Sequence, residues 1–418
     1  MPRVAITGLG FITSIGNDRA TVTDSLKGLK HGIALTDEFL EKDPVHLLGT
    51  IKDFDCSSMD VEDWTIPKPY KIRREHLRSM SPHVLYAHCA LLQAIEDAGL
   101  SEEEISNRET GMFTASAGSA RGMHYNIARM NQVGVNRVSP MAVVSSVVGA
   151  LSFNMVASFQ ILGSSCGFAS ACASSGHAAG FAYDEIALGR QKRMFVVGAE
   201  DGNREAILPF AGMRALSLTT DPDIASRPFD KDRNGFVGTG GGVVMVLEEL
   251  ETAKARGAKI YAEMIGWGQS SDGYNVAISH PEGHGLAEAM NIAMRSAQIN
   301  PSDVNYVNAH ATSTSIGDLS EVQALRKAFP NDRPKVSSTK ALTGHGLSLA
   351  SVMEAGFTAI SMHENFTLGS ANITEVDPKI EDVDILTENL DRAPDIALKN
   401  SSGFGGANVT LALKKYKG

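Results

Sequence analysis

Three short segments of this chain set reactive side chains among small or hydroxylated neighbours. In Phe168-Ala-Ser-Ala-Cys172-Ala-Ser-Ser-Gly-His177 a cysteine stands where a helix is expected to begin. A helix N-terminus offers unpaired N–H groups and the positive end of a dipole, both of which favour thiolate over thiol. Cys172 is therefore a candidate nucleophile, with an inert buried cysteine as the bland alternative. His310 closes the apolar run VNYVNAH and precedes Ala-Thr-Ser-Thr-Ser-Ile-Gly-Asp318, whose hydroxyls and Asp318 are expected to cap the next helix. His345 ends Ser-Ser-Thr-Lys340-Ala-Leu-Thr-Gly-His345, with Glu354 nine residues further on. A lone histidine at a turn is usually structural. Three such turns at strand ends weigh more, because catalytic groups of α/β folds gather at the carboxyl ends of strands.

The remaining cysteines attract no such reading. Cys89 falls on the apolar face of a helical stretch, Cys56 in a polar loop, and Cys166 ahead of the helix that Cys172 opens. There is no CxxC pair and no His/Cys spacing suited to zinc, so no metal is expected. Four thiols in a long chain fit a reducing compartment. With 38 basic against 48 acidic residues the net charge is −10, which gives phosphate backbones little to bind, so no nucleic-acid partner is expected. No signal or transit pattern opens the sequence and no apolar run is long enough to span a bilayer, so the expected location is cytoplasmic, away from membranes.

Short apolar runs alternate with helical patterns over all 418 residues, which places the chain in the α/β class. Strands are expected at VAITGLG, MFVVGAE, GVVMVLEE, IYAEMIGWG, VNYVNAH and VTLALKK; helices are expected over 81–100 and 285–299. The chain also echoes itself. Thr13-Ser14-Ile15-Gly16 returns as Thr314-Ser315-Ile316-Gly317, and Gly235-Phe236 leads into one apolar strand as Gly403-Phe404 leads into another. Small-residue turns at Ala171-Cys172-Ala173 and Thr343-Gly344-His345 each open a helix. Two related halves are expected, 1–255 carrying Cys172 and 256–418 carrying both histidines, with the charged helix ELETAKARGAK as the crossover.

The blocks VAITGLGFITSIGN, SACASSGHA, RPFDKDRNGFV, HATSTSIGD, STKALTGH and NSSGFGGAN occur in that order and span nearly the whole chain. Together they resemble the β-ketoacyl-acyl carrier protein synthases, the elongating ketosynthases of type II fatty-acid synthesis and their polyketide relatives. The resemblance implies a thiolase-type fold with five αβαβα layers, a homodimer or close heterodimer, and acyl carrier protein as partner. It implies Cys172 as nucleophile, His310 and His345 as the pair aiding malonyl decarboxylation, and Lys340 and Glu354 as their support. Phe404 would gate the acyl pocket, and the N–H groups of Cys172 and Phe404 would form the oxyanion hole. No cofactor is implied, since loss of carbon dioxide drives the condensation.

The chain departs from the family pattern in three places. His-Gly-Thr is here His310-Ala311-Thr312, the run after His345 reads Gly-Leu-Ser-Leu-Ala-Ser, and Asn-Ser-Phe-Gly-Phe is Asn400-Ser401-Ser402-Gly403-Phe404. No catalytic group is lost, but Ser402 implies a wider or more polar pocket mouth and keeps a specialised polyketide or polyene pathway as the alternative. A degradative thiolase would need a second cysteine near the C-terminal end, and Cys172 is the last. A chain-length partner subunit would lack the nucleophile. For an acidic carrier the densest cationic run is Lys68 to Arg78, with Lys71, Arg74 and Arg78 at its centre. Arg137 is a further candidate, and Arg129 and Arg204 are weaker ones.

Overall fold

The computed structural model describes residues 1–418. Twelve strands are present: β1 Val4–Ile12, β2 Ile33–Leu35, β3 Leu47–Gly49, β4 Thr110–Ala115, β5 Ser165–Phe168, β6 Arg193–Glu200, β7 Gly241–Glu249, β8 Ala262–Ser271, β9 Tyr306–Asn308, β10 Lys335–Ser337, β11 Ile396–Gly403 and β12 Ala407–Lys415. Ten of them form one mixed sheet in the order β10-β9-β11-β12-β8-β1-β7-β6-β4-β5, while β2 and β3 pair by themselves. Parallel pairing joins β4 to β5 and β6, and β9 to β10 and β11; the other ladders of the large sheet are antiparallel. Residues Val4–Ile6 of β1 pair with Ala262–Met264 of β8 at the centre.

Outward from that central ladder the two sides read β1-β7-β6-β4-β5 and β8-β12-β11-β9-β10. Strand for strand they correspond, so β7 matches β12, and the helices after β5 and β10 match each other. The Gly-Phe turns that enter β7 and β12 are thus equivalent, as are the turns at Cys172 and His345. The Thr-Ser-Ile-Gly echo is not. Its first copy follows β1 and its second follows β9, which corresponds to β4, so that four-residue match carries no structural repeat.

The layering follows from which helices are apolar all round. In Ala350–His363 thirteen residues are buried, and only a helix covered on every side tolerates that. It lies with Ser174–Ala187 between the two sides of the sheet, sharing one core with β1, β7, β8 and β12. Pro82–Ala98 covers β1, β6 and β7 from outside, and His284–Ala297 covers β8 and β12. The order is therefore helix, sheet, helix, sheet, helix. Pro82 at the first turn and Gly99 at φ 64° after the last residue start and stop the outer helix. The crossover helix is shorter than expected, Leu250–Ala255.

β1 meets its outer helix at glycines. A Cβ on Gly10 would lie 1.9 Å from the Ala90 carbonyl oxygen, and one on Gly8 would lie 2.6 Å from that of Ala94. Gly10→Ala should therefore lower stability by about 2 to 3 kcal/mol. Urea unfolding of the variant beside the parent checks this, and an unchanged midpoint would mean that helix and strand can separate without cost.

Candidate active site

Cys172 stands in the turn between β5 and the helix Ser174–Ala187. Ala171 just before it has φ 49°, a left-handed conformation uncommon outside glycine, and it turns the chain sharply enough to aim the thiol across the helix end. His345 occupies the corresponding turn of the other side. Gly344 before it has φ 78°, and the His345 backbone is tied to the segment entering β7, its N–H to Val237 O at 2.7 Å and its carbonyl accepting from Thr239 N at 3.1 Å. The first turns of the two central helices touch: Ser175 Oγ accepts from Val352 N at 3.1 Å, and a Cβ on Gly176 would lie 2.8 Å from Ser351 Oγ. Two helix starts converge, one carrying the thiol and the other the imidazole.

The result is a hydrogen bond of 3.1 Å between His345 Nε2 and Cys172 Sγ. His310 joins from the end of β9, its ring centroid 5.2 Å from that of His345 and nearly perpendicular to it. Donor atoms of Cys172, His310 and His345 all lie within 4.8 Å of one another. The His310 turn is held by a group absent from the sequence-based set: Glu321 accepts from the N–H groups of His310 and Ala311 at 3.0 and 2.7 Å. Thr314, not Asp318, caps the following helix, accepting from Gly317 N at 3.2 Å. Asp318 instead lies buried against Arg233 and accepts from Phe229 N, and burial pushes its carboxyl up to about 7.

Lys340 Nζ donates to Glu354 Oε1 at 2.5 Å, both side chains being fully buried. A second lysine, Lys399, reaches Glu354 Oε2 at 2.7 Å. It too was missed, although an isolated lysine in the apolar run Ile396-Ala-Leu-Lys399 is a signal in itself. Burial, reinforced by the Lys340 and Lys399 cations, holds His310 and His345 well below the ordinary imidazole value, so both rings are neutral near pH 7.

The thiol is a correction. Burial pushes Cys172 up to about 12 against the opposing pull of Lys340. A rise of that size amounts to about 4 kcal/mol against ionisation, whereas a helix terminus supplies at most ~2 kcal/mol even when partly buried. Desolvation wins, and the free protein holds a thiol. Cys56 is an inert buried thiol, as expected, and burial raises it to about 12. Cys89 is buried as expected, and Cys166 is exposed on β5.

A cleft of about 340 Å³ opens onto these groups, walled by Phe210, Phe236, Phe404 and the Thr312 and Thr314 hydroxyls, with Arg214 at its side. Phe404, 38% exposed, lies 5.8 Å from the Phe210 ring, and Phe236 packs on the edge of His345. A Cβ on Gly403 would meet Ser170 O at 2.6 Å and Cys172 N at 3.1 Å, so only glycine lets the Phe404 turn approach the Cys172 amide. Ser402 lines the cleft, but its hydroxyl donates to Asn408 Oδ1 at 2.7 Å instead of facing a substrate. Among the other departures, Ala311 is absorbed into the core beside Leu286 and Val322, and Ser348 bonds the buried Glu200.

Metal binding was tested on the same atoms. Nδ1 of His310 and of His345 has no hydrogen-bond partner, whereas metal-ligating imidazoles are held by an acceptor on the far nitrogen. Two buried ammonium groups next to them oppose a cation. The set fits a nucleophile and its donors better than a metal.

The surface cations lie apart from this cleft. Arg78 and Arg129 line one open groove of about 660 Å³ together with Arg121. Arg74 is exposed and bonded to Glu62, which lies 4.0 Å from Arg78 as well. Lys71 and Arg137 are exposed outside the groove. Arg204 is taken up by Asp43 at 2.6 Å.

Comparison with known proteins agrees with the geometry. Residues 1–253 match the family described as Beta-ketoacyl synthase, N-terminal domain, and residues 261–374 match Beta-ketoacyl synthase, C-terminal domain. The 3-oxoacyl-[acyl-carrier-protein] synthase 1 of Haemophilus influenzae is 39% identical over 427 residues, and that of Escherichia coli K12 is 37% identical over 423, each covering 100% of both chains. The crystal structure of a beta-ketoacyl synthase from Burkholderia phymatum STM815 superposes with a TM-score of 0.91 at 31% identity, again over 100% of both chains.

Alkylation reads out the state of the thiol. With Cys172 at about 12, its iodoacetamide rate in the free protein should climb about tenfold per pH unit between about pH 7 and about pH 10. Peptide mass spectrometry separates Cys172 from the exposed Cys166. A rate for Cys172 that levels off below about pH 8 would show that the thiol is already ionised.

Proposed function

The chain belongs to the β-ketoacyl synthase family, and on that premise we propose that it is the elongating ketosynthase of type II fatty-acid synthesis, a cytoplasmic acyltransferase that condenses an acyl group held on Cys172 with malonyl-acyl carrier protein. The observation that carries this reading is the meeting of one thiol and two neutral imidazoles at the end of a cleft. In the same reading residues 1–255 supply the nucleophile and 256–418 supply both histidines.

The reaction divides in two. Cys172 Sγ, accepting the Nε2–H of His345, attacks the acyl thioester carbonyl, the carbon–sulfur bond to the carrier breaks, and the thiol proton passes to the leaving sulfur. The N–H groups of Cys172 and Phe404 receive the charge on the carbonyl oxygen. Malonyl carrier protein then enters, its carboxylate leaves as carbon dioxide, and the electron pair left behind forms an enolate. Neutral imidazole N–H groups of His310 and His345 donate to that oxygen, each worth about 3 to 4 kcal/mol by analogy with other oxyanion donors. The enolate carbon attacks the acyl carbonyl, the bond to Sγ breaks, Cys172 leaves as a thiolate that takes a proton from solvent, and the chain is two carbons longer.

The carrier protein and a second copy of the chain are the partners. The groove holding Arg78 and Arg129 is where we dock an acidic carrier, with Arg74, Lys71 and Arg137 adding to its approach by charge steering. For a homodimer the support is β5, the last strand of the sheet, whose outer edge is unpaired and whose Ser165, Cys166 and Gly167 are exposed. Phe153 and Leu162 close by are 53% and 59% exposed. Unpaired edges and apolar patches of this kind call for a covering surface.

Cys172→Ala should abolish condensation. His310→Ala and His345→Ala should keep acyl transfer to Cys172 within about tenfold while losing most malonyl decarboxylation, by about a hundredfold or more. Mass-detected acylation and carbon dioxide release measure the two steps separately, and parental decarboxylation in both histidine variants would refute the assignment.

Charge reversal at Arg78 and Arg129 tests the docking. The apparent KM for carrier-bound substrate should rise about tenfold and its salt dependence should weaken, with little change for a small acyl thioester. Equal losses on both substrates would place these arginines in folding instead of docking.

A further inference from the structure

Beneath the two histidines one carboxylate is held by two lysines. Lys340 Nζ takes Glu354 Oε1 at 2.5 Å and Lys399 Nζ takes Oε2 at 2.7 Å, with none of the three side chains more than 1% exposed. The contact of Lys399 with Glu354 is an ion pair, and its hydrogen bonds go to the Asn400 carbonyl and to Ser401 Oγ at 3.2 Å. One carboxylate neutralises one ammonium, so the cluster carries a net positive charge. Burying a second ammonium costs several kcal/mol, and replacing such a group by an apolar one is often neutral or stabilising. Stability alone therefore does not account for Lys399.

Its place in the strand links it to both imidazoles. Lys399 pairs across the ladder with Asn308 of β9, two residues before His310. The next residue, Asn400, donates to Glu321 Oε1 at 3.0 Å, and Glu321 holds the N–H groups of the His310 turn. Glu354 and Lys340 meanwhile bracket His345 in sequence, one on the helix before it and one on the helix after it.

We propose that Lys399 is a positioning residue for decarboxylation: it clamps Glu354 against Lys340 and supplies the excess positive charge felt by the enolate oxygen between His310 and His345. The proposal rests on those histidines being the enolate donors. Without Lys399 the cluster is a neutral ion pair, Glu354 Oε2 loses its partner, and the developing negative charge loses a nearby cation in a dry site, where such interactions are strongest. Acyl transfer ends with no net anion at that position and depends on it less.

The same arrangement has a pH signature. The charged and titratable groups facing Lys399 are Glu354, Lys340, Glu321, His310 and His345, with the buried Tyr306 phenol beside Glu354. Burial brings Lys399 down to about 8, with Lys340 acting in the same direction and Glu354 and Glu321 opposing it. Lys399 is therefore charged below about pH 8 and loses its proton above it, and the excess charge under the histidines disappears as pH rises through that value.

The experiment follows malonyl-carrier decarboxylation from about pH 6 to about pH 10 in the parent, Lys399→Met, Lys399→Arg and His310→Ala, with acylation of Cys172 measured alongside. The parent should lose rate above about pH 8. Lys399→Met should run about tenfold slower at pH 7 with no such decline, and Lys399→Arg should stay fast with the decline moved up by at least about one pH unit, while acylation changes less than about threefold in each. A parental rate and decline in Lys399→Met would overturn the proposal. If that variant fails to fold, Lys399→Arg decides, and an unmoved decline overturns it. Full decarboxylation by His310→Ala would instead bring down the histidine assignment, so the two failures are told apart.

Discussion

One helix buried on nearly every side and a second buried along most of its length must be covered by the sheet, and that requirement organises the whole molecule. Ala350–His363 and Ser174–Ala187 can be buried only between two sheet faces, so β1 and β8 join at the centre and the sides of the sheet fold over the helix pair. Corresponding turns then lead into both helices from corresponding strands. Their starts meet, and Cys172 and His345 come within 3.1 Å although 173 residues separate them. The candidate active site is a consequence of how the core closes.

That closure also sets the electrostatics. A site at the junction of two buried helices is poorly hydrated, and desolvation outweighs the helix termini that would otherwise ionise the thiol. The same dryness keeps both imidazoles neutral, and a neutral imidazole donates one N–H without bringing in a charge that must be solvated. The lysine–glutamate–lysine cluster restores positive charge below them, as part of the fixed structure, where it need not reorganise when an oxyanion forms.

The departures from the family pattern settle mostly into packing. Ala311 fills core space, Ser348 adds a hydrogen bond to the buried Glu200, and Ser402 closes a hydrogen bond with Asn408. A hydroxyl committed to a neighbour is not free for a substrate, so Ser402 shapes the cleft through its size more than through its polarity. The relatives 39% and 37% identical over the whole chain are named 3-oxoacyl-[acyl-carrier-protein] synthase 1, and nothing in the cleft favours the polyketide or polyene alternative.

The α/β class, the long outer helix 82–98 and the strands β1, β6, β7, β8 and β12 were legible in the sequence because each carries its periodicity locally. Cys172, His310 and His345 were legible as candidates because small, hydroxylated or glycine neighbours mark turns where side chains can act, and Lys340 and Glu354 entered through the family resemblance. The short strands β4, β5, β9 and β10 were hard to read or too generously drawn, since three to six residues carry little periodicity. Lys399 and Glu321 escaped because their work is done across strands and helices far apart in the chain. The Thr-Ser-Ile-Gly echo misled because four residues can recur without a shared place in the fold. The sequence by itself determined which side chains were capable of the chemistry. Only the tertiary structure decided that they meet, that the thiol stays protonated and that the imidazoles stay neutral, because distance and desolvation are properties of what surrounds a residue and not of the residues next to it along the chain.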